Sequence, residues 1–93
     1  MALDNKGRKI VEFTADWCQP CKQVKPKIAE LARQHRIPLE VVDVDQHPEL
    51  TVKYDVQSVP TIILFEHGEP STMFTGSNAT ENLAAVLNRS RSD

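Results

Sequence analysis

The sequence predicts an α/β domain with a central mixed sheet of four strands flanked by about three helices. Three observations carry that prediction. Along the first half of the chain, short β-branched or aromatic runs alternate with a longer segment of helical period, giving the order strand, helix, strand. Further on, a continuous apolar run and a second β-rich run flank a turn containing Gly68, which is the pattern of a hairpin. A chain of 93 residues without internal repeats or low-complexity runs suits a single domain, 1–93, with one modest core.

Residues 1–8 form a lead-in, and the first strand is Lys9 to Thr14, short and rich in β-branched and aromatic side chains. Gln19 to Arg36 then changes period. Val24, Ile28, Leu31, Ala32 and His35 recur at helical spacing, while Lys22, Lys25, Lys27, Glu30 and Arg33 fall mostly elsewhere. Pro38 closes this helix, and Leu39 to Val44 reads as a second strand that a helical crossover sets parallel to the first. Pro48 suits the first turn of a short helix reaching about Tyr54, against the weaker propensities of Thr51 and Val52. Thr61 to Glu66 is an apolar run of strand length; "EHGEPS" turns the chain, and Thr72 to Thr75 returns antiparallel, making the sheet mixed. Gly76 breaks that strand, Asn78 and Glu81 resemble a capping pair, and Leu83, Val86 and Leu87 give the last helix its buried stripe. Residues 89–93 read as a flexible, solvated tail.

The composition, 40% hydrophobic and 26% charged with a net charge of −2, makes no electrostatic case for gripping nucleic acid or an anionic membrane. No apolar run is long enough for a signal peptide or a bilayer span, so the expectation is a cytoplasmic protein, taken here as a monomer. The acceptor patterns at Asn78 and Asn88 are then chance matches.

Both cysteines of the chain, Cys18 and Cys21, lie in "WCQPCK". In a reducing compartment such a pair is usually catalytic, redox-sensing or metal-binding, and a staple across so short a loop would constrain little chain entropy. Three positions apart at a helix start, the two share one face, and a small closure makes a redox-active disulfide. Cys18 comes first, where free N–H groups and the helix dipole favour a thiolate, which marks it as the nucleophile. Cys21 continues the apolar stripe of Val24 and Ile28, so it is shielded and suited to resolving a mixed disulfide. Pro20 fits the first turn, which needs no donor there. A zinc site would need a second half, and His35, His47 and His67 are scattered without ligand spacing, so neither a metal nor a cofactor is implied.

"VEFTADWCQPCKQVKP" resembles the active-site region of the thioredoxin family, in which a Trp precedes Cys-x-Pro-Cys-Lys and a proline, here Pro26, kinks the helix. "VDVDQHPEL", "SVPTIILFEHGE" and "FTGS" follow in the family's order, so the resemblance covers roughly Lys9 to Asn88. It implies a thioredoxin-like fold and a protein disulfide reductase, with a thioredoxin reductase or an equivalent donor as electron source and disulfide-containing proteins as substrates. It further implies that Val59-Pro60 is a cis bond facing the cysteines, that the Val59 backbone pairs with substrate, and that Trp17 and Gly76 flank the substrate. Gln19, Pro20, Lys22, Pro26 and Thr61 are implied supporting positions. Departures are also visible. Thioredoxins usually begin with an extra strand and helix, so part of this sheet is expected to be uncovered or covered by a partner. Gln19 replaces the usual Gly, Glu12 stands at the buried Asp, Val41 at its Lys partner, and Thr14 at the first active-site Trp. Alternation places Glu12 on one side of its strand with Ile10 and Thr14, where burial would raise its pKa and let it handle the proton of Cys21. Two alternatives share the sequence: a disulfide oxidase or isomerase, and a redox-inactive binding module on the same scaffold.

Overall fold

The computed structural model describes residues 7–90. Its elements are β1 (Arg8–Thr14), α1 (Gln19–His35), β2 (Leu39–Asp43), α2 (Pro48–Lys53), β3 (Thr61–Glu66), β4 (Glu69–Thr75) and α3 (Ala79–Ser90). The strands lie in the order β2-β1-β3-β4. β2 is parallel to β1, whereas β3 is antiparallel to both β1 and β4, so the sheet is mixed.

Central β1 is buried on both faces, and its alternation divides the core. On one face Ile10 packs with Val24, Ile28 and Ala32 of α1, Ile62 and Leu64 of β3, and Leu83 and Leu87 of α3. On the other, Val11, Phe13, Val42, Ile63 and Phe65 pack with Leu50 of α2 and with Tyr54. The Tyr54 ring stands edge-on to Phe13 and Phe65, at centroid distances of 6.5 and 5.5 Å. Thus the helical stripe expected for α1 is the one that is buried, with Cys21 at its head and Leu31 and His35 at its margin.

Boundaries shift where turn chemistry decides them. Arg36 adopts the left-handed conformation (φ 56°, ψ 42°), and its N–H caps the carbonyls of Ala32 and Arg33, so α1 stops at His35. The hairpin turns on His67 and Gly68 alone, both at positive φ (56° and 85°), which matches strand twist. β4 therefore begins at Glu69 rather than Thr72. A bulge between Leu64 and Phe65 lets Pro70 face Phe65 on the outermost strand, where its missing donor costs least. At the other end α3 runs on through Ser90, so Arg89 and Ser90 are helical rather than tail. The remaining tail residues, 91–93, and residues 1–6 of the lead-in lie outside the described residues.

Candidate functional site

β1 ends at Thr14, and a tight turn delivers Cys18, whose N–H donates to the Ala15 carbonyl at 3.2 Å, to the start of α1. Cys18 is the N-cap: its backbone is extended (φ −93°, ψ 109°) and its Sγ accepts the N–H of Cys21 at 3.2 Å. A cap normally offers an oxygen to this orphan donor; here a sulfur takes that place, so the helix end itself supports negative charge on Cys18. Cys18 and Cys21 are joined as a disulfide with Cα atoms 5.3 Å apart, and both are buried. They pack with Ala15, against Val44 and Val59. Gln19, Pro20 and Lys22 ring them on the exposed outside of the first turn.

The loop before β3 supplies the opposite wall. Val59-Pro60 is a cis bond, Pro60 is fully buried, and Val59 reaches the cysteines. Thr61 is buried and donates its hydroxyl to the Ser58 carbonyl at 2.7 Å, closing the turn from inside. The Pro60 carbonyl accepts the Gly76 N–H at 3.0 Å, which ties the end of β4 to the same loop. Gly76 holds φ at 87°, a region that disfavours any side chain, and leaves open space where a Cβ would stand. Beside these lies a groove of about 260 Å³ lined by Trp17, Val44, Thr51, Val56, Gln57, Ser58 and Val59. Trp17 is 67% exposed, yet its indole N–H donates to Asp45 Oδ2 at 3.0 Å, so the ring stands fixed over the groove.

Sequence reading missed Asp45, because only the fold brings the exit of β2 against the turn after β1. It also missed the groove residues Thr51, Val56 and Gln57, which carry no motif. Pro26 lies within α1, beyond the first turn and on its exposed side, and the helix continues past it.

Glu12 lies deeper. Its side chain is fully buried and neither carboxyl oxygen has a hydrogen-bond partner. Its cross-strand neighbours are Val41 and Ile62, neither of which can pair with it. Burial pushes its pKa up to about 7, while the positive charge of Lys25 on α1 pulls the other way. No cluster of His, Cys, Asp and Glu suited to a metal occurs among the described residues. Nor is any helix there long and apolar enough to cross a membrane.

The sequence matches the family model described as Thioredoxin over residues 1–89. It is 42% identical over 85 residues to a thioredoxin of Staphylococcus epidermidis, covering 89% of this chain and 82% of that one. A thioredoxin of Staphylococcus aureus is 40% identical over the same length and coverage. Among solved structures, Fasciola hepatica thioredoxin superposes with a TM-score of 0.81 at 37% identity, covering 91% of this chain and 83% of the other. The oxidised thioredoxin of Plasmodium falciparum gives a TM-score of 0.78 at 28% identity, covering 94% and 84%. With a disulfide capping the first helix and homology along nearly its whole length, the chain belongs to the thioredoxin family and is a thiol–disulfide oxidoreductase that reduces protein disulfides.

Proposed function

We propose that Cys18 is the attacking thiolate, Cys21 the resolving thiol and Glu12 the group that takes the proton of Cys21. The Cys18 thiolate attacks one sulfur of a substrate disulfide, forming a mixed disulfide and releasing the other sulfur as a thiolate that is then protonated. Cys21 next attacks Sγ of Cys18, its proton passing to Glu12, and the second substrate sulfur leaves. The observation that carries the assignment is the Cys21 N–H aimed at Sγ of Cys18 at the helix N-cap, since it stabilises charge on Cys18 and on no other sulfur. A thioredoxin reductase or an equivalent dithiol donor then returns two electrons, Cys21 takes its proton back from Glu12, and the Cys18 thiolate and Cys21 thiol are regenerated.

Substrate lies as an extended segment along the Val59 backbone, with Trp17 and Gly76 on either side, and presents its disulfide to Cys18. Thr61, Pro60, Gln19, Pro20, Lys22 and Pro26 shape this surface or the helix behind it. One chain carries the whole apparatus, so the redox unit is a single molecule, and we place it in the cytoplasm, where dithiols are kept reduced.

The test is selective alkylation of the reduced protein with limiting reagent at neutral pH, combined with trapping. Cys18 should react first, and Cys21→Ser should accumulate a covalent complex through Cys18, whereas Cys18→Ser should form none. Preferential alkylation of Cys21 would reverse the assignment.

A further inference from the structure

β2 is an outermost strand of the sheet, paired only with β1. Its bonds alternate: Pro38 accepts the Ile10 N–H and the Val44 N–H reaches Thr14, both at 2.9 Å, so even-numbered residues face β1. The main-chain groups of Leu39, Val41 and Asp43 point outward. The Asp43 carbonyl is occupied, accepting the N–H groups of Gln46 and His47 at 3.1 and 3.0 Å. The other outward groups, three N–H donors and the carbonyls of Leu39 and Val41, meet no partner among the described residues. At the middle of this edge Val41 is 44% exposed, an apolar side chain where proteins commonly place a guarding charge. Charge is segregated along the edge: Arg36 precedes the strand, Asp43 and Asp45 follow it, and the intervening Glu40 is already paired with Lys9 at 2.6 Å.

We infer that this edge binds a second copy of the same chain, β2 against β2, antiparallel about a two-fold axis at Val41. The charge layout selects that arrangement. An antiparallel pairing centred on Val41 brings Arg36 of each copy beside Asp45 of the other, and it closes on itself as an isologous dimer. A parallel pairing of the same two edges would bring the Arg36 ends of the two copies together and the Asp43 ends together, like charge beside like. In the antiparallel register the two Val41 residues exchange both main-chain bonds, and each Asp43 N–H reaches the Leu39 carbonyl of the other copy. The occupied Asp43 carbonyl needs no further donor. The Val41 side chains meet directly across the pair on the face that carries α1, where β-branched neighbours contribute favourably. The joined sheets form one continuous sheet.

The experiment uses the oxidised full chain, whose cysteines are tied to each other and cannot cross-link copies. Sedimentation equilibrium over a concentration series is combined with amide hydrogen exchange at single-residue resolution. The expected result is reversible dimerisation, with protection of the Val41 amide rising in step with the dimer fraction and dimerisation weakening from low to about 1 M salt. Val41→Lys should weaken association about tenfold or more. Because a change at Val41 also touches the neighbour of Glu12, Arg36→Glu is the second variant; it should weaken association while leaving disulfide reduction per chain unchanged. Three results overturn the inference: a monomer at every concentration up to about millimolar; a dimer in which the Val41 amide exchanges as fast as in the monomer; or a monomer whose Val41 amide is protected independently of concentration, which would mean that the chain fills its own edge.

Discussion

Replacing Glu12 by Gln tests the buried carboxyl without changing its shape, and the effect on stability can be worked out from its surroundings. Burial pushes the carboxyl in the folded chain up to about 7 from its ordinary 4.5, because it penalises the charged form more than Lys25 relieves it. The folded state therefore holds this proton more tightly than the unfolded state does. The sign follows: between about pH 4.5 and about pH 7 folding stability falls as pH rises, and above that range the loss is complete and constant. At 1.36 kcal/mol per pKa unit the loss has a ceiling of about 3 kcal/mol. Glu12→Gln removes it, so the variant should gain up to about 3 kcal/mol over the parent at pH 8 and close to nothing at pH 4. In a domain of this size that is a rise in Tm of roughly 10 °C or more at the higher pH. The assay is urea unfolding of the oxidised parent and variant across this pH range, in which neither thiol titrates and the difference between the proteins cancels every other ionisable group. If the difference between parent and variant stays flat from pH 4 to pH 8, Glu12 is hydrated in solution and the argument from burial fails.

In the reduced protein the same variant should slow resolution of a mixed disulfide while leaving the reactivity of Cys18 toward a small alkylating reagent unchanged, as read by stopped-flow kinetics. Asp45→Ala removes the acceptor of the Trp17 indole; KM for a protein disulfide should rise a few-fold with kcat nearly constant, and the Trp17 fluorescence should change. Thr61→Val leaves the Ser58 carbonyl without its 2.7 Å donor and should cost about 1–2 kcal/mol in denaturant unfolding. Leu64→Ala opens a cavity in a fully buried site between sheet and helices and should cost about 2–5 kcal/mol by the same measurement; a loss below about 1 kcal/mol would mean that the core closes over the gap.

The layers of the fold were readable because period and burial coincide. The stripe of Val24, Ile28 and Ala32 and the alternation of Ile10 and Val11 each name the surface they face, and the structure places them there. The start of β4 was not readable, since a two-residue turn at positive φ made strand of Glu69 and Pro70, residues with low β-propensity. At the site, the cysteine pair stood out by its local spacing, whereas Glu12 was marked by the resemblance, with strand alternation giving only its face. Asp45 and the groove residues Thr51, Val56 and Gln57 were not, because they meet Trp17 only after distant segments have been brought together, and no local pattern marks them. The cation opposite Glu12 was sought on β2, where Val41 stands, whereas Lys25 supplies it from the helix above.

The two sulfurs sit at helical spacing on the first turn of a long helix whose remaining turns are locked into the core. That helix would hold them close whether or not they were bonded, so oxidation and reduction alter the surface by little more than two protons and the gap between two atoms. A carrier whose loaded and empty forms share one outline gives its partners little shape by which to tell them apart. On the roles proposed for Cys18 and Cys21, the donor that fills it and the targets that empty it take turns at one face, and the direction in which electrons move is left to the relative potentials of those partners.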